Sequence, residues 1–116
     1  MKFEIEQDDN VTVMTLKGSK LDTKIAAELK SQFILLSKAG DSGHLILDLG
    51  SVNFADSSGL SALLLAHRLY RDADKKLILC NMTDRVNKLL EISQLTSVFT
   101  ISTDKTSALE HIDATA

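Results

Sequence analysis

The chain has 116 residues, of which 44% are hydrophobic and 25% charged, and its formal net charge is -3. That length allows one compact core, so we expect residues 1–116 to form a single domain with its core at about residues 3–112. The Lys and Arg residues are scattered, which argues against direct nucleic-acid binding. No apolar run has the length of a signal peptide or of the roughly 20 residues that span a bilayer. We therefore expect a cytoplasmic protein without membrane insertion.

Cysteine and histidine residues give no sign of a metal or cofactor site. Cys80 is the single cysteine, which excludes an internal disulfide, and we expect it to be a buried, inert thiol. His44, His67 and His111 are far apart in the sequence and match no metal-ligand spacing. The glycine-rich fingerprints of nucleotide-binding loops are also missing, so the sequence predicts no bound cofactor.

The first segments indicate a hairpin followed by a helix. Apolar residues flank the polar residues 7–10 and predict two antiparallel strands: Phe3, Ile5, Val11, Val13 and Leu16. From about residue 22 to residue 38, apolar residues recur at helical spacing: Ile25, Leu29, Phe33 and Leu36. Asp22 or Thr23 is the expected N-cap of this helix, and residues 40–43 break it.

The rest of the chain alternates strands and helices. Continuous apolar runs at residues 44–49 and 76–82 predict strands buried on both faces, and residues 98–101 predict a short last strand. Helical periodicity covers residues 57–71 and 84–92, and a final helix starts at about residue 104. The order is β, β, α, β, α, β, α, β, α. Right-handed crossovers would make the later strands parallel, which predicts an α/β domain with a mixed sheet of about five strands and about four helices.

Residues 51–60 form a strand-to-helix connection that carries the chemistry of interest. Such connections present functional groups at the edge of a parallel sheet. Asp56 and Ser57 can each accept a hydrogen bond from the free amides of the first helical turn, and Gly59 permits close approach of another backbone. By local chemistry alone, Asp56-Ser57-Ser58 is first a capping signal. The same geometry would also present a serine hydroxyl in an exposed position.

A hydrolase would use Ser57 or Ser58 as its nucleophile. The chain has no Gly-x-Ser-x-Gly elbow, and no histidine is identifiably paired with either serine. We therefore expect the protein not to be an enzyme.

The order of motifs resembles the STAS domain family, and in particular its stand-alone anti-sigma factor antagonists. The resemblance covers residues 3–112 and depends on three features: Leu16-Lys17-Gly18 with Leu21-Asp22, the segment Asp56-Ser57-Ser58-Gly59-Leu60 between two buried strands, and residues 86–95. It implies that Ser57 is phosphorylated, that Ser58 supports the helix start, and that Asp22, Asp56, Ser57, Ser58 and Gly59 form the partner-binding surface.

The resemblance also implies a partner-switching mechanism. The unphosphorylated protein would bind an anti-sigma factor that is also a serine kinase, which releases a sigma factor. Phosphorylation of Ser57 would weaken the complex, and a metal-dependent serine phosphatase would reset it. ATP and metal ions would belong to those partners.

Two points stay open at the level of the sequence. Where the family often has Ser-Gly-Leu before the last strand, this chain has Ser93-Gln94-Leu95, so we expect the turn to avoid the left-handed conformation that glycine permits. The partner is also open, because some STAS proteins are constitutive accessory subunits of transport ATPases or parts of larger signalling assemblies.

Overall fold

A computed structural model describes residues 3–8, 10–38 and 43–115. Two predicted turns fall partly outside these ranges, at Asp9 and at residues 40–42. The elements in chain order are β1 (Phe3–Asp8), β2 (Val11–Leu16), β3 (Lys20–Leu21), α1 (Thr23–Lys38), β4 (His44–Asp48), β5 (Phe54–Ala55), α2 (Ser57–Asp72), β6 (Leu77–Cys80), α3 (Asp84–Ile92), β7 (Thr100–Ser102) and α4 (Lys105–Thr115). None of the described helices is long and apolar enough to cross a membrane.

Five of the strands form one mixed sheet in the order β1-β2-β4-β6-β7. β1 and β2 pair antiparallel, while each later neighbour pairs parallel. The register places Val13 opposite Ile46 and Ile46 opposite Ile78. The predicted α/β architecture, with a five-stranded mixed sheet and four helices, is confirmed.

The sheet is covered on both faces, which explains why its central strands are continuously apolar. Side chains alternate between the two faces along a strand. Leu45 and Leu47 of β4 belong to the larger core, which α1, α2 and α3 complete, whereas Ile46 belongs to a smaller core under α4. Both faces of β4 and of β6 are therefore buried along their apolar residues.

Two short strands were absent from the predicted order. β3 and β5 have two residues each and pair parallel as a separate small sheet. Two residues are too few to give a periodic signal. The last strand also starts later than predicted, because the amide of Val98 donates to the carbonyl of Leu95 at 3.0 Å in a turn that precedes Thr100.

The expectation for Gln94 was wrong. Gln94 itself adopts the left-handed conformation, with φ of 60°. The amide of Gln94 donates to the carbonyl of Glu91 at 3.0 Å, and the amide of Leu95 donates to the carbonyl of Leu90 at 2.8 Å. This is the Schellman pattern that usually has glycine at the left-handed position. The turn thus has the geometry that glycine favours, with an ordinary side chain in the strained position.

Candidate phosphorylation and partner-binding site

The amino termini of α1 and α2 lie side by side because of the small second sheet. Leu21 of β3 is opposite Ala55 of β5, and the amide of Asp56 donates to the carbonyl of Leu21 at 3.2 Å. Each strand leads directly into a helix. The residues that follow Leu21 and the residues that follow Ala55 are therefore brought together at one edge of the molecule.

Asp56 uses its carboxylate to cap both helices. Its Oδ1 accepts from the amide of Gly59 at 2.9 Å, which is the N-cap bond of α2. Its Oδ2 accepts from the amide of Thr23 at 3.3 Å and lies 3.4 Å from the Thr23 hydroxyl. The Gly59 amide, followed by the Thr23 donors, lowers the pKa of Asp56 below its ordinary value. The carboxylate is consequently ionised at neutral pH.

Gly59 fits against β3 because it has no side chain. A Cβ at this position would overlap the carbonyl oxygen of Leu21 and lie 2.7 Å from its carbonyl carbon and 2.8 Å from its Cγ. Backbone atoms cannot move away cheaply, so a larger residue would separate α2 from β3. The predicted close approach of another backbone at Gly59 is confirmed.

Ser57 and Ser58 occupy different environments although they are neighbours. Ser57 is the first residue of α2 and is exposed, and its hydroxyl has no hydrogen-bond partner among the described residues. Of the two capping candidates, only Asp56 therefore caps α2. The hydroxyl of Ser58 is half-buried and lies 3.1 Å from the Thr23 hydroxyl, so Ser58 connects α2 to α1.

Of the two predicted candidates, Asp22 and Thr23, Asp22 caps α1. Its Oδ1 accepts from the amide of Lys24 at 3.1 Å, and its backbone carbonyl accepts from the amide of Ala26 at 2.9 Å. The structure thus brings all five predicted site residues into one cluster. Sequence reasoning missed the bonds from Thr23 to Asp56 and Ser58, because these depend on the pairing of β3 with β5.

Two shallow grooves flank this cluster. One, of about 210 Å³, is lined by residues from β5 and α3, including Phe54, Arg85 and Leu89. The Phe54 side chain is 49% exposed, although it lies only two residues before Asp56. The other groove, of about 300 Å³, includes Lys20 and Lys24. This second groove also includes Asp22 and Glu28, so its charged residues are of both signs.

The remaining candidate groups lie away from the cluster. Cys80 is buried in β6, and burial, followed by the negative charges of Asp48 and Asp104, raises its pKa to about 12. The prediction that this thiol is buried is confirmed. Neither Ser57 nor Ser58 has a histidine as a hydrogen-bond partner in the described part of the chain.

The fold and this cluster define an α/β domain that presents a serine at a helix amino terminus beside a second capped helix. The sequence pattern of the STAS domain matches residues 2–114. The chain therefore belongs to the STAS domain family.

Individual relatives are similar over nearly the whole chain. The anti-sigma F factor antagonist of Paenibacillus polymyxa is 25% identical over 113 residues, which cover 97% of this chain and 96% of that protein. The anti-sigma factor antagonist SpoIIAA in its unphosphorylated form has a TM-score of 0.73 at 20% identity, covering 97% of this chain and 96% of that one. Its phosphorylated form, from Bacillus, also has a TM-score of 0.73, at 21% identity and covering 95% and 98% of the two chains.

The same fold also occurs inside a membrane protein. The murine anion transporter Slc26a9 matches with a TM-score of 0.76 at 19% identity, over 94% of this chain but only 18% of that one. The fold alone is thus shared by regulatory proteins and by a segment of a transporter, so the function has to be argued from the site.

Proposed function

We propose that this protein is an anti-sigma factor antagonist that is switched by phosphorylation of Ser57. The exposed Ser57 hydroxyl, without a hydrogen-bond partner among the described residues, is the observation that carries the proposal. The unphosphorylated protein binds an anti-sigma factor that is also a serine kinase, and the bound sigma factor is released. A metal-dependent serine phosphatase restores the active form.

The position of Ser57 suits a kinase substrate. A kinase must reach the hydroxyl and orient it, and a side chain that is already hydrogen-bonded would first have to give up its partner. Ser57 is exposed, whereas the neighbouring Ser58 is half-buried against Thr23. Since α2 fixes the backbone at Ser57, the side chain extends from a defined position at the helix amino terminus.

The charge that phosphorylation adds falls at the centre of the proposed interface. A phosphate carries about -1.5 to -2 charges at neutral pH. It would be placed next to the ionised carboxylate of Asp56, whose Oδ1 already accepts the amide of Gly59. Like charges that must lose water on binding oppose association, so the modified protein binds its partner more weakly.

The surface around Ser57 has the composition of a binding site. Aromatic and Arg residues contribute disproportionately to the energy of protein interfaces. Phe54 is exposed on one side of the cluster and shares a groove with Arg85. The relatives named as antagonists of anti-sigma factors add support for a partner of that class. They also support a regulatory role in place of an enzymatic one.

Phosphorylation assays test this proposal directly. The purified protein is incubated with ATP and candidate serine kinases from the same organism, and intact mass and peptide fragmentation locate the phosphate. We expect one phosphate on Ser57, none on the Ser57→Ala variant, and normal phosphorylation of the matched Ser58→Ala variant. The Ser57→Ala variant should bind the kinase, and the Ser57→Asp variant should bind about tenfold more weakly.

A failure to phosphorylate Ser57 would favour a second candidate function, that of a constitutive accessory subunit. If no candidate kinase modifies Ser57, or if Ser57→Asp binds as well as the unmodified chain, the switch proposal is wrong. A constitutive accessory subunit of a transport ATPase or of a signalling assembly would then be the better interpretation, given that this fold also occurs within a transporter. Co-purification with membrane transport proteins would test that role.

A further inference from the structure

The hydroxyl of Thr23 lies between the carboxylate of Asp56 and the hydroxyl of Ser58. Thr23 is the first residue of α1, and its Oγ1 is 3.4 Å from Oδ2 of Asp56 and 3.1 Å from Oγ of Ser58. In the part of the chain that the structure describes, no other side chain forms a hydrogen bond with the Ser58 hydroxyl. The state of this serine therefore depends on one residue from a different helix.

The chemistry of these three groups fixes the direction of their hydrogen bonds. An ionised carboxylate can only accept, whereas a hydroxyl has one proton to donate and can also accept. Asp56 is ionised at neutral pH, because the Gly59 amide and the Thr23 donors lower its pKa. Both contacts of Thr23 are hydrogen bonds only when Thr23 donates to Asp56 and Ser58 donates to Thr23. The Ser58 proton is then held in a chain that ends on a negative charge, which strengthens each bond in the chain.

The two neighbouring serines differ in whether their hydroxyl proton is already donated. Ser57 has no hydrogen-bond partner among the described residues, whereas Ser58 donates to Thr23. During phosphorylation the serine oxygen forms a bond to the γ-phosphorus of ATP, the bond from that phosphorus to the ADP oxygen breaks, and the hydroxyl proton passes to a base of the kinase. A hydroxyl that already donates must first give up its partner. Ser58 is only half-buried, so burial alone does not withhold it from a kinase.

We propose that Thr23 determines which of the two serines is phosphorylated, because its hydroxyl holds the hydroxyl of Ser58. This role of Thr23 rests on the proposed function, in which Ser57 is the phosphorylation site, and adds how that site is selected. Thr23 is a positioning residue, since it acts through the hydroxyl of Ser58. Its removal should therefore change the choice between the serines.

The Thr23 hydroxyl can be removed without breaking the connection between the two helices. The amide of Thr23 donates to Oδ2 of Asp56 at 3.3 Å, and the amide of Gly59 donates to Oδ1 at 2.9 Å. Both donors belong to the backbone, so a change of the Thr23 side chain leaves them in place. Valine has the shape of threonine and lacks the hydroxyl. Thr23→Val therefore frees Ser58 while Asp56 still contacts α1 and α2.

Phosphorylation of side-chain variants tests the role of Thr23. The full chain is treated with ATP and the kinase that modifies Ser57, and peptide fragmentation gives the ratio of phosphate on Ser58 to phosphate on Ser57. We expect Thr23→Val to raise this ratio about tenfold above the trace level of the wild type, because Ser58 loses its hydrogen bond. Thr23→Ser keeps the hydroxyl and should keep the wild-type ratio. Thr106→Val, a matched change of an exposed threonine in the first turn of α4, should also leave the ratio unchanged.

The same comparison in a Ser57→Ala background isolates Ser58. We expect no appreciable phosphate on Ser58 in that variant alone, and a measurable amount once Thr23→Val is added. Thr23→Ala also lacks the hydroxyl and should act in the same way, so the test does not depend on the folding of one variant. Since the kinase is the same throughout, a ratio between two serines of one chain is unaffected by a general change in kinase docking.

Two kinds of result would overturn the role of Thr23. One is an unchanged ratio in both Thr23→Val and Thr23→Ala. The other is a rise in Thr23→Ser or Thr106→Val as large as that in Thr23→Val, because the Thr23 hydroxyl would then not protect Ser58. Both results would leave the phosphorylation of Ser57 standing. A wild-type chain that no kinase modifies would instead contradict the proposed function, and the role of Thr23 with it.

Discussion

At the scale of single residues, the Asp56 carboxylate is the group on which the geometry of the site depends. It accepts hydrogen bonds from α2, through Gly59, and from α1, through Thr23. Hydrogen bonds to an ionised carboxylate are stronger than those between neutral groups. The same carboxylate therefore orients two helices and provides the negative charge that a phosphate on Ser57 would meet.

Acid should weaken the connection that Asp56 makes between α1 and α2. The Asp56→Asn variant should lack this pH dependence of stability. The folded-state pKa of Asp56 is lowered, so its stabilising contribution is present above the unfolded value of about 3.9 and is lost as the pH falls through the folded value. Asparagine can still accept from Gly59 but carries no charge. We expect the variant to be less stable than the wild type at pH 7, and the difference to shrink between pH 5 and pH 3, measured by urea unfolding.

Asp84→Asn is the matched control for this prediction. Asp84 is an exposed carboxylate in the first turn of α3, where Thr83 provides the cap. Its removal changes the net charge equally without removing a bond between helices. A difference between Asp56→Asn and the wild type that stayed constant from pH 7 to pH 3, or one that Asp84→Asn matched, would contradict the assigned role of the Asp56 charge.

Capping chemistry made part of the site predictable from the sequence. Asp22, Asp56 and Gly59 play the roles that their residue types indicate at the start of a helix. The difference between Ser57 and Ser58 could not be predicted locally, because it depends on Thr23, which is 35 positions from Ser58 in the sequence. Contacts across a small sheet leave no local pattern.

At the scale of elements, two helices end in the same strained way. α2 is followed by Asp74 with φ of 59°, and α3 is followed by Gln94 with φ of 60°. In both cases the amide of the next residue donates to a carbonyl in the last turns of the helix. The Lys75 amide donates to the carbonyl of Tyr70 at 2.8 Å, and the Leu95 amide donates to the carbonyl of Leu90 at 2.8 Å. The left-handed conformation is costly for a residue with a Cβ. Packing of the following segment holds these residues in it.

Gln94→Gly should therefore stabilise the protein. Glycine adopts the left-handed conformation without the steric cost, and we expect a gain of about 1 kcal/mol in the free energy of unfolding, reduced in part by the greater freedom of glycine in the unfolded chain. Urea unfolding monitored by circular dichroism measures the change.

The Ala27→Gly variant is a control in which glycine should lower the free energy of unfolding. Ala27 is exposed within α1, where glycine should cost about 1 kcal/mol. If Gln94→Gly destabilised the protein as much as Ala27→Gly does, the left-handed turn would not be the source of strain at position 94.

The helices and long strands were predictable from periodicity, whereas the short strands were not. The bounds of α3 match the predicted residues 84–92, since its apolar residues repeat on one face. β3 and β5 contain two residues each and are defined only by their pairing. β7 begins later than the predicted residue 98. Val98 packs on the core from a turn, and in the sequence an apolar residue there looks like the start of a strand.

At the scale of the whole molecule, the sheet separates the proposed switch on α2 from α4. Ser57 is at the amino terminus of α2, which packs on one face of the sheet, whereas Ala108 and Ile112 of α4 pack on the other face. The parallel arrangement of β2, β4, β6 and β7 could be predicted from the helical crossovers that connect them. The pairing of the two helix starts could not, since it needs the second sheet.

Phosphorylation of Ser57 should change the surface and leave this fold intact. A phosphate at a helix amino terminus gains about 0.3–1 kcal/mol from the helix dipole, while repulsion from Asp56 opposes that gain. We therefore expect the unfolding midpoint to change by less than about 5 °C.

Amide shifts of the enzymatically phosphorylated protein distinguish a surface change from refolding. We expect shifts confined to the first turns of α1 and α2 and to β5, because these contain the groups that contact Asp56 and its neighbours. Amides of β6 and α4 should stay in place, and Ser57→Ala treated with the same kinase and ATP corrects for effects of the reaction mixture. Large shifts at Ala108 or Ile112, across the sheet from α2, would mean that the modification rearranges the core, and the proposed mechanism by charge and steric hindrance would be wrong.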